Sequence, residues 1–377
     1  MTEVEIYKKP IEILSELSEK GSLMSNEQLA YLCGLIKMNK PKKIVEVGVA
    51  AGGTTAVVLN CIDKLGLDCE MHSVEISSVV VGDGEKKSGY LAEECKTMLE
   101  NPIKHKLHIG VLPDCIDEIG GEIDFLILDT THLLPGELLD FLVALPYLTE
   151  NAIVVLHDIW VHHWEYSVNE NSQATRVLLS AAVGEKLVCS SLPSDLNIGA
   201  IMLNADTRKY VENIFHALAL TWKYIPGAEY LDLCRRCYAR HYEERLVALY
   251  DLAVEKNIAT KKRVDKIYCD GLSDISGFIT AIRGEENIYI FGAGLYGKLV
   301  YSFLKNAGIS IVGFVISDGH KKEKMDLPVY YVSEVDLSNS ALILAVKEKT
   351  QQVVSEMLRG RKLIRVKESI LLFLRLG

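Results

Sequence analysis

The stretch that most constrains this chain is a short apolar strand that turns on glycines into a helix. Residues 43–55 read Lys-Ile-Val-Glu-Val-Gly-Val-Ala-Ala-Gly-Gly-Thr-Thr. Ile44, Val45 and Val47 suit a buried strand, and Glu46 stands among them, where an unpaired carboxylate is costly. Gly48, Gly52 and Gly53 let backbone approach a ligand closely. The helix expected from Thr54 onward presents free N–H groups at its first turn.

The same alternation continues. Strands are expected at 70–76, 106–109, 123–128 and 152–156, with helices near 54–65, 90–100, 113–119, 135–147 and 173–183. Repeated β–α order predicts a mostly parallel sheet covered by helices on both faces. Two further strands, 186–190 and 198–203, share a short turn-rich connection and predict an antiparallel edge. Ahead of the sheet, apolar spacing predicts helices over 10–20 and 26–38. Ser25 and Gln28 form a capping box for the second, and Pro41 ends it.

Residues 206–260 carry no strand signal and read as amphipathic helices rich in Tyr, Arg and Glu, followed by a linker at Lys261–Lys266. A second β–α alternation starts at Asn287. Strand 288–291 runs into Gly292-Ala-Gly294-Leu-Tyr-Gly297 and a helix to Asn306. Strands at 310–316 and 342–346 and a helix at 350–358 follow, and 370–374 is a last buried strand or helix. The expected fold class is α/β: a doubly wound sheet plus a second, smaller Rossmann-like α/β domain. The expected divisions are 1–205, a helical connecting segment 206–265, and 266–377.

A chain of 377 residues exceeds one compact core. A net charge of −10 argues against nucleic acid and anionic membrane as partners. The nine cysteines lie scattered in apolar or helical contexts, which suits reduced thiols and a cytoplasmic location. Cys234-Arg-Arg-Cys237 has no second pair and reads as coincidental. No run of 18 apolar residues is present, so no membrane span is expected.

The two glycine turns differ in kind. Gly292-x-Gly294-x-x-Gly297 has dinucleotide-type spacing, and Asp318 ends the next strand, where it could meet a ribose or base. Glu46-x-Gly48-x-x-x-Gly52 lacks that spacing. Asp129 and Asp158 end neighbouring strands, at the carboxyl edge where ligands bind in parallel sheets. Two such carboxylates can hold one hard divalent cation, with His157 or waters completing the shell. They could equally contact cofactor or substrate with no metal. His132 suits a general base, or else a helix cap or core histidine. Trp160-Val-His-His-Trp164 follows the strand that ends at Asp158 and reads either as an aromatic rim for a ring substrate or as a lid on the core.

With Glu75 ending the second strand, the first module resembles class I S-adenosylmethionine-dependent methyltransferases. The resemblance implies a seven-stranded sheet with one antiparallel strand. It places the methyl donor against Glu46, Gly48, Ala50, Gly52 and Thr54, with Glu75 on the ribose hydroxyls and Gly110 by the adenine. Ala50 stands where many members carry glycine, and Val111 where an Asp is usual. Asp129-Thr-Thr-His132, His157-Asp158, the loop Asp83–Tyr90 and Gln173-Ala-Thr-Arg176 are similar to the branch that holds macrolide-sugar O-methyltransferases and cephalosporin-hydroxylase-like proteins. That branch implies methyl transfer to oxygen, with Asp129, His157 and Asp158 around a cation, Mg²⁺ as the candidate, and His132 as base. The segment Tyr289–Val329 is similar to the small Rossmann domain of bacterial sugar acyltransferases, which implies a nucleotide or nucleotide-linked sugar at Gly292, Gly294, Gly297 and Asp318. The expectation is a methyltransferase acting on a sugar-containing small molecule in polysaccharide or secondary-metabolite assembly, with a homo-oligomer left open. An NAD(P)-dependent oxidoreductase working through the C-terminal motif and a non-catalytic nucleotide-binding scaffold are the alternatives.

Overall fold

The computed structural model describes residues 2–19, 24–80, 84–159, 173–189, 197–322 and 324–376. The chain divides into two compact units, Met1–Ile258 and Ala259–Gly377. The first is built on strands β1 (Thr2–Glu3), β2 (Lys43–Val47), β3 (Glu70–Glu75), β4 (Lys104–Ile109), β5 (Ile123–Leu128), β6 (Leu148–His157), β7 (Glu185–Val188) and β8 (Ile198–Met202). Its helices are α1 (Asn26–Asn39), α2 (Gly53–Leu65), α3 (Tyr90–Lys96), α4 (Leu112–Ile119), α5 (Gly136–Ala144), α6 (Ala174–Ala181), α7 (Ala205–Lys209), α8 (Glu212–Ala217), α9 (Ala228–His241) and α10 (Glu244–Ile282), the last continuing into the second unit.

The eight strands form one sheet in the order β1-β7-β8-β6-β5-β2-β3-β4. Seven of them match the expected strands. The eighth is the two-residue β1, which pairs in parallel with β7. β8 alone runs antiparallel, and it lies inside the sheet between β6 and β7 rather than at its edge. Alternate side chains of the central strands face two separate cores, as expected for a parallel sheet covered on both faces. Val45, Val47, Leu126, Leu128, Val154 and Leu156 pack with α4, α5 and α9. Ile44, Phe125, Ile127, Ile153 and Val155 pack with α1, α2 and α3.

Local chemistry explains the element ends. The Ser25 hydroxyl accepts from Gln28 N–H and the Gln28 side chain accepts from Ser25 N–H, closing the capping box of α1. The helix expected over 10–20 is a short 3₁₀ helix, Lys9–Ser15, with Pro10 in its first turn. The linker expected at Lys261–Lys266 is a continuation of α10. Its charges lie on the exposed face of that helix, with Lys261 and Asp265 paired one turn apart at 2.7 Å.

The helices after β8 belong to the first unit's core. Tyr238 is fully buried, and its hydroxyl donates to the Leu139 carbonyl at 2.9 Å. Phe215, Tyr242 and Tyr250 meet its ring edge-on at centroid distances of 5.7, 5.9 and 5.0 Å, an arrangement favoured by the ring quadrupole.

The second unit holds β9 (Ile288–Phe291), β10 (Gly313–Ile316), β11 (Val329–Tyr331), β12 (Ala341–Leu344) and β13 (Lys362–Arg365), with α11 (Leu295–Asn306), α12 (Glu348–Met357) and α13 (Glu368–Leu376). Its sheet, in the order β11-β10-β9-β12-β13, is parallel throughout. Among the described residues no helix is long and apolar enough to cross a membrane.

Tyr238→Ala should destabilise the first unit by about 3–5 kcal/mol, since it removes a buried aromatic ring together with its hydrogen bond to the Leu139 carbonyl. All three tryptophans, Trp160, Trp164 and Trp222, precede residue 259. Their fluorescence in a urea titration therefore reports this unit. A change below 1 kcal/mol would show that α9 is not part of the cooperative core.

Candidate active site

The glycine turn is set by contacts that leave little freedom. Gly48 has φ +93°, and a Cβ there would lie 1.7 Å from the Asp129 carbonyl oxygen. The end of β2 thus touches the end of β5 backbone to backbone, and Asp129 N–H donates to the Val47 carbonyl at 2.9 Å. Gly52 abuts Gly89 in the same way, while Gly89 and Leu91 N–H donate to the carbonyls of Ala50 and Ala51. Ala50 itself has φ +49°, a left-handed conformation that glycine adopts more readily.

Glu75 closes the turn. Its Oε2 accepts from the backbone N–H of Val49 and Ala50 at 2.9 and 2.8 Å, and its Oε1 accepts from Ser77 N–H at 3.3 Å. The carboxylate thus organises the turn. Glu46 lies beneath it, 1% exposed, and does not line the cavity. Its Oε2 accepts from Thr55 Oγ1 at 2.7 Å and Ser73 Oγ at 2.8 Å, tying β2 to α2 and β3. Burial pushes its pKa up to about 7 against those two hydroxyl donors.

Above the turn lies a cavity of about 510 Å³. Gly48, Ala50, Thr54, Glu75 and Gly110 line it, whereas Gly52 shapes it from behind. Asp129 and His132 also line it, as do Val111 and Leu112 at the start of α4. So do Asp140 of α5 and Tyr224, Pro226 and Tyr230 from the segment after the sheet, with the Tyr224 hydroxyl 3.3 Å from Thr131 Oγ1. Sequence reading missed Tyr224 and Tyr230 as site residues, and their aromatic, turn-rich context (Tyr224-Ile-Pro-Gly227) was the signal available.

Asp129, His132, His157 and Asp158 converge at the ends of β5 and β6. The His157 Nδ1–H donates to Asp129 Oδ1 at 2.9 Å. Its other nitrogen, Nε2, is buried without a hydrogen-bond partner, 3.5 Å from Asp158 Oδ1. His132 Nε2 lies 3.2 Å from Asp158 Oδ2 and 3.7 Å from Asp129 Oδ1. Donor atoms of Asp129, His132 and His157 fall within 4.8 Å of one another. Although burial opposes it, the hydrogen bond and charge of Asp129 and the charge of Asp158 hold the His157 pKa above its ordinary value.

Both His132 and Asp158 have left-handed backbone, φ +59° and +54°. For residues with side chains this is strained by on the order of 1–3 kcal/mol, and such strain clusters at functional sites. Hydrogen bonds hold it in place: His132 N–H donates to Glu137 Oε1 at 2.7 Å, and Asp158 N–H to the Asn197 carbonyl at 2.9 Å. Asn197 Nδ2 also donates to Asp158 Oδ1. Glu137 is fully buried and accepts from Thr130 Oγ1 as well. The Trp160–Trp164 stretch and Asp83 lie outside the described residues. Cys234 and Cys237 are buried in α9 and belong to no metal-type cluster among the described residues.

In the second unit Gly292 has φ +103°, and a Cβ on Gly297 would lie 1.8 Å from the Gly292 carbonyl oxygen, so the turn packs tightly against α11. A Cβ on Gly294 would meet open space. Asp318 follows β10, where its Oδ1 accepts from the Ser333 hydroxyl at 2.6 Å.

Residues 45–159 match a family described as a methyltransferase domain. No curated protein matches the sequence. Solved structures that resemble the chain include the O-methyltransferase TomG from Streptomyces achromogenes in complex with S-adenosylmethionine, 16% identical over 53% of this chain and 92% of that one, TM-score 0.35. Another is an O-methyltransferase from Bacillus cereus in complex with S-adenosylhomocysteine, 15% identical over 52% and 91%, TM-score 0.36. A third is MycE methyltransferase of the mycinamycin pathway with Mg, S-adenosylhomocysteine and mycinamycin VI, 13% identical over 52% and 54%, TM-score 0.37. The family match marks residues 45–159, which carry the glycine turn, Glu75, Asp129 and Asp158, as a methyltransferase domain. The match does not reach the second unit, and nothing in these comparisons supports the oxidoreductase alternative.

Glu46→Gln tests the polar support under the turn. A carboxyl whose folded pKa is raised stabilises the fold fully below its unfolded value, and that contribution is lost as pH rises through about 7. Relative to wild type, Glu46→Gln should therefore gain roughly 2–3 kcal/mol in stability between pH 5 and pH 8, read by tryptophan fluorescence in urea. Equal shifts of both proteins with pH would refute the assignment.

Proposed function

We propose that the first unit transfers the methyl group of S-adenosylmethionine to a hydroxyl oxygen of a sugar-containing small molecule, assisted by a divalent cation. The observation that carries this reading is the convergence of Asp129, His132, His157 and Asp158 beside the cavity that the glycine turn builds.

The donor set fits a cation. His157 Nδ1 is taken by Asp129, and its buried Nε2 has no other partner. A carboxylate that fixes the far nitrogen of an imidazole is the usual support for a metal-binding histidine. His157 Nε2 and Asp158 would hold the ion, with Asp129 orienting His157 from the Nδ1 side, and the mixed oxygen and nitrogen donors suit Mn²⁺ as well as Mg²⁺. A bound cation supplies positive charge that lowers the pKa of the acceptor hydroxyl and fixes its direction.

The remaining work falls to side chains. Gly48 and the turn hold the methionine part of the donor, and Glu75 Oε1 accepts from a ribose hydroxyl. His132, 3.2 Å from Asp158, takes the acceptor proton on Nε2 as the oxygen attacks the methyl carbon and the carbon–sulfur bond breaks. The products are the methyl ether, neutral S-adenosylhomocysteine and a protonated His132. Burial of the reacting atoms on the turn aligns them for in-line attack.

Asp129→Asn and Asp158→Asn should each lower methyl transfer at least about 100-fold, matched by chelation of the wild type and restored by Mg²⁺ or Mn²⁺. His132→Ala should lose about 10²–10⁴-fold in rate while still binding Mn²⁺ in calorimetry. Full activity in chelator would remove the cation, and loss of Mn²⁺ binding in His132→Ala would make that residue a ligand instead of a base.

For the second unit we infer a nucleotide or nucleotide-linked sugar against the N-terminus of α11. The support is the open space at Gly294 within a turn otherwise packed by Gly292 and Gly297. Asp318 would exchange its Ser333 contact for a ribose hydroxyl. Titration of uridine diphosphate and of NAD into wild type and Gly294→Glu checks this. Heat of binding present in the first and lost in the second is expected, and no heat with either ligand would refute it.

A further inference from the structure

Glu137 stands where a helix usually shows its carboxylate to water. It lies in the first turn of α5, a helix that begins on Pro135 without a side-chain cap. Yet it is 0% exposed, and it turns back onto the loop that leaves β5. Its Oε1 accepts from His132 N–H at 2.7 Å and from Thr130 Oγ1 at 2.8 Å. Its Oε2 is buried with no hydrogen-bond partner among the described residues. Burying a carboxylate so sparingly bonded is costly, and such an exception calls for an explanation.

What Glu137 holds is His132. That residue has φ +59°, and its backbone is clamped from both sides. Glu137 takes its N–H, and the Ala174 N–H donates to its carbonyl at 2.9 Å. Ala174 opens α6, so two separate helices fix one strained residue. The imidazole is thereby laid between two carboxylates. Nδ1 is buried without a hydrogen-bond partner, 3.6 Å from Glu137 Oε1. Nε2 lies at the other side, 3.2 Å from Asp158 Oδ2. Glu137 itself does not line the cavity, so whatever it does there it does through His132.

We propose that Glu137 is the positioning residue of His132: it locks the left-handed backbone and keeps Nδ1 turned inward, so that Nε2 is the nitrogen offered to the acceptor hydroxyl. This rests on the reading of His132 as the base.

Full-length wild type, Glu137→Ala and Glu137→Gln separate positioning from folding. Calorimetry with S-adenosylhomocysteine gives the fraction of each protein that binds ligand. Rates of methyl transfer to methyl glycosides are then referred to that fraction. Glu137→Ala should lose roughly 10- to 100-fold in kcat, the effect of a reacting group displaced by about 1 Å, with KM for the donor within about threefold. Glu137→Gln keeps an oxygen for His132 N–H and Thr130, and should stay within about fivefold of wild type. Deuterium exchange of the His132 amide should be at least about 10-fold faster in Glu137→Ala than in the other two proteins. A merely structural role would lower the binding fraction and leave kcat per binding site unchanged.

Wild-type kcat in a ligand-binding Glu137→Ala overturns the proposal. So does a Glu137→Gln that binds S-adenosylhomocysteine yet is as slow as Glu137→Ala. If Glu137→Ala binds no ligand, Glu137→Gln decides: a rate near wild type supports the proposal, and a rate as low as that of His132→Ala overturns it. If methyl glycosides are not methylated, amide exchange decides, and unchanged exchange in Glu137→Ala overturns it. Full activity in His132→Ala would sink the reading of that residue as base, an outcome distinct from all of these.

Discussion

The contact between Gly48 and the Asp129 carbonyl is the constraint on which the site depends. No side chain fits between the two backbones, so the turn after β2 and the end of β5 hold a fixed relation. Everything above them inherits it. Asp129 projects into the cavity from a backbone already anchored on Val47, and His157 is oriented on Asp129. The position of a candidate cation is thus decided by a glycine two strands away from His157. A protein interior that packs this closely transmits a displacement of one element to the next with little loss.

Polar groups buried beneath the turn serve order rather than chemistry. Glu46 occupies a strand position that would otherwise be apolar, and it joins three elements through Thr55 and Ser73. Glu137 does the same for the loop after β5, where it receives the Thr130 hydroxyl and the His132 amide. Each carboxylate loses hydration and recovers hydrogen bonds from groups that a ligand loop needs fixed. Glu75 shows the same economy at the surface: two backbone donors of the turn saturate one oxygen and leave the other oriented.

How far the sequence foretold this differs by kind of signal. The sheet was legible because buried parallel strands are continuous apolar runs, and Asp129 and Asp158 were legible because each interrupts such a run at its end. Glycine turns declare themselves through backbone need. Asp140 left no such mark, and Tyr224 and Tyr230 left only the turn-rich Tyr224-Ile-Pro-Gly227. Asp140 and Tyr230 are 90 residues apart in the chain, and a tyrosine in an amphipathic helix looks the same whether it faces a core or a cavity. The placement of Glu46 against the ligand failed for a related reason: its cost in a strand was visible, but Thr55 and Ser73 as its partners depended on register. The charged run at Lys261–Lys266 was read as a linker because composition does not distinguish a solvated loop from the wet face of a long helix.

The part of the cavity wall that Tyr224 and Tyr230 supply has a consequence for how this protein comes to exist. Every strand of the large sheet is made once residue 202 has been joined, yet Tyr224 and Tyr230 are still to come. A nascent chain can therefore assemble its sheet and expose an unfinished, half-open cleft while the closing segment is inside the ribosome. A product interrupted near residue 205 would retain every residue that marks the domain by motif and lack the wall that encloses its ligand.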